Sequence, residues 1–329
     1  MAEAFITKGL IADSQRRSAE ALVLVKGGLE VALEHDVPTS ALRGATNMSY
    51  LLMNVDRLDE AIPYQEMGIE LASRLGIASG EWFLLIHRVA MWQLHGEWDR
   101  VVGFVRDLPD PADEPAVLGG AEAIVGQSLP VFIERGEIVE ARALADRWTT
   151  PSEDNADYQV RTQAQFVRAV LAGAEGHLDE ALARAEAISL DADKLSIRHP
   201  TLRRGWICGV NAALKVGDLE SAERLMKLYE QSPPGQLSPS IRGYVDRYRA
   251  TLLAAAGVSE GVDERYRSAV HAFVDVGMPF EEATARLDRA RWLATQGRAD
   301  DAAAEAALAR EIFERLGATP WIERASSLG

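Results

Sequence analysis

Cysteine is almost absent from this chain of 329 residues: Cys208 stands alone. One thiol excludes an internal disulfide framework and fits a reducing compartment. Basic residues are in deficit, 35 Lys and Arg against 50 Asp and Glu, a formal charge of −15. That balance argues against direct nucleic-acid binding, because each phosphate contact needs a local cation. Long apolar runs are missing too, so no membrane-spanning helix is expected. The opening residues MAEAFITKGLIADSQRR lack the basic-then-apolar order of a signal peptide. A soluble cytoplasmic protein is expected. Phosphate-binding GxxxxGK[ST] loops and GxSxG elbows are likewise missing.

What the chain does have is a rhythm. A turn residue, four more positions and then a small apolar residue recur as RRSAEAL (Arg16–Leu22), DRLDEAI (Asp56–Ile62), GEWDRVV (Gly96–Val102) and GEIVEAR (Gly136–Arg142). The phrase continues as GHLDEAL (Gly176–Leu182), GDLESAE (Gly217–Glu223), GVSEGVD (Gly257–Asp263) and GRADDAA (Gly297–Ala303). Its sixth residue is Ala21, Ala61, Val101, Ala141, Ala181, Ala222, Val262 and Ala302, spaced by 40 residues with one step of 41. Apolar residues at helical spacing flank each phrase: Val160, Ala164, Val167 and Leu171 before Gly176, then Leu178, Ala181, Ala185 and Ile188 after it. The unit is therefore helix–turn–helix, with a turn residue suited to positive φ and acids suited to the next helix start.

Small residues recur where paired helices must approach to roughly 8–10 Å. Seven positions before the turn stand Gly9, Ser49, Ala169, Ala250 and Ala290; seven after the recurrent alanine stand Gly28, Gly68, Ala269 and Ala309. Val89, Leu129, Leu108 and Trp148 break the rule in the third and fourth units, where distorted packing is expected. Breaker-rich stretches at Asp107–Pro115, Thr149–Asn155 and Ser232–Gly235 read as loops between units.

With its turn glycine and small-residue pattern the unit resembles a tetratricopeptide repeat, about six residues longer than the usual 34. That resemblance implies an all-α, right-handed superhelical solenoid of about eight helix–turn–helix units. Their bounds are approximately 1–37, 38–76, 77–114, 115–155, 156–196, 197–236, 237–278 and 279–318, with a C-terminal cap at 319–329. HEAT-type helix pairs share the period but leave the turn phrase unexplained. The segment FERLGATPWIERA (Phe313–Ala325) resembles the end of the repeat region in large bacterial ATPase-type regulators, including maltose-activator-like, LuxR-type and cyclase-associated ones. The resemblance implies a sensor or scaffold region for transcriptional signalling, separated from its ATPase and DNA-binding modules. The apolar first helix (Ala4, Phe5, Ile6, Leu10, Ile11) starts without a polar capping repeat. Excision from a longer polypeptide, or self-association through that helix, is expected to account for it.

No catalytic set emerges, and no cofactor is expected. None of the six histidines has metal-ligand spacing; His87 and His95 lie eight apart without a further donor pair. Cys208, between Ile207 and Gly209 on an arginine-bearing helix, reads as an inert buried thiol. The pair Glu281–Glu282 reads as solvated carboxylates at a helix start.

The expected function is therefore recognition, of a protein or peptide partner or of a small anionic effector. By the resemblance, inward-facing residues lie 13, 10, 6, 3 and 2 positions before each turn. These offsets select Tyr50 and Phe83 in the front half, then Arg204, Asn211, Lys215, Tyr244, Arg247 and Arg291 in the rear. Local cations suit a carboxylate or phosphate; each arginine could equally pair with an acid on a neighbouring helix. A clamp for a peptide carboxylate is not supplied by Ile6, Leu10, Thr46 and Tyr50, and the asparagines form no ladder for a peptide backbone.

Overall fold

A computed structural model describes the chain apart from residues 110–117, 149–156, 193, 196, 234 and 329. Among the described residues there are seventeen α-helices and no strands. The first helices of successive pairs are α1 (Ala2–Ser14), α3 (Pro38–Asn54), α5 (Ala78–Leu94), α7 (Leu118–Arg135), α9 (Tyr158–Ala174), α11 (Pro200–Val216), α13 (Pro239–Ala255) and α15 (Pro279–Thr295). Their partners are α2 (Ser18–Glu34), α4 (Leu58–Leu75), α6 (Trp98–Arg106), α8 (Ile138–Trp148), α10 (Leu178–Ser189), α12 (Leu219–Glu230), α14 (Val262–Val276) and α16 (Ala299–Leu316). The last helix is α17 (Thr319–Ser326). Neighbours in sequence pack on one another from α1 to α4 and from α8 to α17; α3 also touches α1, α11 touches α9, α13 touches α11, and α15 touches α13.

The repeated phrase sets the backbone. Arg16, Asp56, Gly96, Gly136, Gly176, Gly217, Gly257 and Gly297 all take positive φ, between 61° and 87°. Left-handed backbone ends a helix and reverses the chain, at least cost with glycine. Ala21, Ala61, Val101, Ala141, Ala181, Ala222 and Val262 are fully buried and Ala302 is 1 % exposed. One environment thus recurs at the forty-residue step. Proline at the first position of α3, α11, α13 and α15 starts those helices where no backbone donor is needed.

The small positions are contact points. A Cβ on Gly28 of α2 would lie 2.9 Å from the Ala2 carbonyl oxygen, and one on Gly9 of α1 would lie 3.0 Å from that of Ala21. Ser49, Ala169, Ala250 and Ala290 are completely buried. The larger residues of the third and fourth units are accommodated: Val89, Leu129 and Trp148 are buried, and Leu108 lies past the end of α6. Their second helices are short, 9 residues in α6 and 11 in α8 against 17 in α2. Of the expected loops, 110–115 and 149–155 lie outside the described residues.

Two compact units divide the chain: Met1–Met91 with Leu108–Gln127, and Trp92–Asp107 with Ser128–Gly329. The first is centred on Val25, Leu29, Met48, Leu51, Leu52 and Leu84. In the second, Trp206 is buried against Tyr229 and Tyr248 at ring separations of 4.6 and 5.5 Å. Its indole nitrogen donates to the Leu225 carbonyl at 2.8 Å, and the Tyr229 hydroxyl donates to that of Ile197 at 2.9 Å. The buried polar atoms of Trp206 and Tyr229 are thereby satisfied.

The second unit also closes on itself. Phe280 packs against Trp98 of α6 at 5.2 Å and against Trp321 of α17 at 5.4 Å; Phe313 lies 5.5 Å from Trp321. The Trp321 indole donates to the Glu134 carboxylate at the end of α7, and Arg135 bonds both Asp99 and the Leu316 carbonyl. Gly96 sits where a side chain would strike Leu316 and Pro279, each under 3 Å away.

Candidate functional site

Within the second unit, the first helices carry polar side chains at helical spacing. Arg204, Cys208, Asn211 and Lys215 follow one another along one face of α11, four, three and four residues apart. Tyr244, Arg247 and Tyr248 occupy the matching stretch of α13; Glu281, Asp288 and Arg291 that of α15. Glu134 of α7 and Arg324 of α17 approach from beyond: Glu134 feels Lys215, Arg324 and Arg247, and Cys208 in turn feels Glu134. Closure through α6, α7 and α17 thus brings Glu134 and Arg324 to this face, the wall of the second unit.

The charges on the wall are only partly matched. Arg247 is 7 % exposed and donates through Nε to Asp288 at 2.8 Å; Arg291, exposed, reaches the other oxygen of the same carboxylate at 3.5 Å. Burial works against the Arg247 charge, but Asp288 more than offsets it and raises the guanidinium pKa above its ordinary value. Tyr244 donates to Glu281 at 3.0 Å, and burial pushes the Glu281 carboxyl up to about 7, against the pull of Tyr244, Arg247 and Arg203. Glu134 is raised by burial and drawn back by the Trp321 indole. Arg204 stands apart: it lies 5.7 Å from the Phe166 ring, and burial beside like-charged Arg203 lowers it to about 9. Desolvation pushes the Cys208 thiol up to about 12, so near neutrality it is held protonated and alkylates slowly.

The expected site residues are therefore divided between the units. Arg204, Asn211, Lys215, Tyr244, Arg247 and Arg291 share the wall of the second unit, with Lys215 and Arg291 at its exposed margin. Tyr50 and Phe83 belong to the first unit, where both flank His87: Phe83 edge-on at 4.7 Å and Tyr50 stacked at 6.0 Å. Ser49 lies 3.2 Å from His87 Nδ1, and burial lowers this histidine to about 4. A neutral core imidazole fits that environment.

Of the two readings open for the rear cations, Arg247 and Arg291 follow the paired one, converging on Asp288. One expectation needs correction: Glu281 is not a solvated helix-start carboxylate; it lies in the first turn of α15 but is walled in under Tyr244. Glu134, Tyr248 and Trp321 join the wall without having been expected there. Tyr248 lies nine positions before Gly257, outside the inward offsets, and no local signal pairs Trp321 with a glutamate 187 residues away.

Among the described residues no group of three His, Cys, Asp or Glu is placed to hold a metal, and no helix is long and apolar enough to cross a membrane. No protein-family model matches the chain, and no curated protein matches it.

Proposed function

We propose that this chain is a non-catalytic recognition module: a right-handed superhelical array of about eight tetratricopeptide-like units, serving as the sensor of a cytoplasmic bacterial signalling regulator. The observation that carries the reading is the wall of the second unit, where α11, α13 and α15 set arginine, asparagine and tyrosine on successive first helices. A concave surface with a few converging polar groups is the usual seat of a ligand. The wall's reactive groups are spoken for: the thiol is held protonated, and Glu134 and Glu281 accept bonds from Trp321 and Tyr244. That arrangement supports binding over turnover.

Cys208 tests it, because the chain's one thiol sits on the wall itself. The unmodified protein is screened against peptides, sugars, nucleotides and organic acids by thermal shift. Any ligand held by the wall is expected to slow Cys208 alkylation by a small maleimide in step with its occupancy. Ligands that raise the melting temperature yet leave alkylation unchanged would move the site elsewhere.

A scaffold role is the second reading, favoured by exposed apolar side chains on α1 and α2, with Ile11 51 % and Val23 72 % accessible. It predicts self-association or partner capture that Ile11→Glu and Val23→Glu abolish. Light scattering that shows no change with either substitution removes it.

A further inference from the structure

The inference rests on the wall as recognition surface and concerns the ligand chemistry it takes. Donors and acceptors on the wall do not balance. Each of three carboxylates is engaged: Asp288 by Arg247 and Arg291, Glu281 by Tyr244, Glu134 by Trp321. Two buried donors are left over. Arg204 makes neither an ion pair nor a hydrogen bond with any described residue; its guanidinium lies over the Phe166 ring, with Arg203 and Tyr244 nearby. The Tyr248 hydroxyl is buried without a hydrogen-bond partner, its ring 1 % exposed. Asn211 stands beside this hydroxyl, and its amide draws the phenol's acidity back as a hydrogen-bond donor would.

These donors belong together. Arg204 and Asn211 share a face of α11 two turns apart, and Tyr248 stacks at 6.1 Å on Tyr244, whose phenol acts on Arg204. Leaving buried donors without a partner costs free energy, most of all when one is charged. Water can satisfy the hydroxyl and the amide, but it does not neutralise a guanidinium next to a second arginine. A planar fork with flanking neutral donors suits two oxygens of one anion.

We infer that Arg204, Asn211 and Tyr248 form an oxyanion subsite in the second unit, taking the carboxylate or phosphate group of a small ligand. Burial that makes the Arg204 charge costly in the empty wall is the same burial that strengthens its attraction to an anion. Arg204 retains partial solvent access, so a small ligand can reach it.

The full chain is titrated with sodium phosphate and with sodium succinate against sodium chloride at matched ionic strength, following melting temperature and Cys208 alkylation. The expected result is stabilisation and slowed alkylation by phosphate, succinate or both, the active anion naming the source of the oxyanion. Arg204→Gln should weaken the response about tenfold while melting at or above the parent temperature without anion, because an unpaired charge has gone. Arg204→Lys, which keeps the charge and loses the fork, should fall between them. Tyr248→Phe should lose a smaller part of the affinity and fold as stably as the parent. Neither anion acting, or Arg204→Gln responding like the parent, overturns the subsite. If a neutral ligand protects Cys208 while both anions fail, the subsite falls and the wall stands as recognition surface. If nothing protects Cys208, both fall.

Discussion

Arg247 and Arg291 occupy the inward offsets of α13 and α15, yet both give their charge to Asp288. Side-chain accessibility of 9 % for Arg247 and 18 % for Asp288 makes this a buried pair, for which removal of one member costs more than removal of both. Asp288→Ala is expected to lower the unfolding free energy by about 3 kcal/mol in urea titration, while Arg247→Met combined with Asp288→Leu loses less than half of that. Equal losses would show that the pair is solvated. At this scale the candidate positions on the wall were legible as offsets from each turn. Their partners were not, because the same spacing brings Arg204 no acid and Arg247 a carboxylate 41 residues away.

Helices and turns are where the chain was most legible. Positive φ at every turn of the phrase and burial at every recurrent small position follow from local rules: glycine tolerates left-handed backbone, and paired helices meet over small side chains. Asp56 and Arg16 hold the same conformation without being glycine, at a cost of about 1–2 kcal/mol each that glycine would avoid. The closure of the second unit was not legible. It depends on α17, eight residues long, which sets Trp321 over Phe280, Phe313 and Glu134. Trp321→Ala should destabilise this unit by about 3 kcal/mol, through lost ring contacts and an orphaned, walled-in carboxylate. Trp321→Phe keeps the ring contacts and loses the donor, so its cost should be smaller. Both are read as urea midpoints by tryptophan-independent far-UV circular dichroism; identical costs would mean that the Glu134 bond contributes nothing.

For the molecule as a whole, titration should press on stability from two sides. Burial lowers His87 and His199 to about 4 from an ordinary 6.5, so their contribution is complete above pH 6.5 and drains away as pH falls toward 4. Glu281 acts in the opposite sense. Its carboxyl is raised from 4.5 to about 7, so the folded state gains most below pH 4.5 and loses that advantage as pH rises through 7. Glu281→Gln keeps an acceptor for Tyr244 and removes the charge. It is expected to gain about 2 kcal/mol over the parent above pH 7, after allowance for partial solvent access, and to lose that gain toward pH 4.5. A difference that stays flat across this range would place Glu281 in open solvent.

The amino-acid sequence alone determined the paired helices, their forty-residue step, the turn conformations and the small contact points. Each of these is decided by residues near one another in the chain, where backbone preference and helical spacing act directly. Tertiary structure alone decided the division into two units, the docking of α17 on α7 and α15, and which charges on the wall are matched. Pairing and burial depend on groups that come together only when distant segments close, and a carboxylate's surroundings leave no mark on the residues beside it in sequence. Arg204 without an acid and Glu281 beneath a tyrosine are outcomes of that closure.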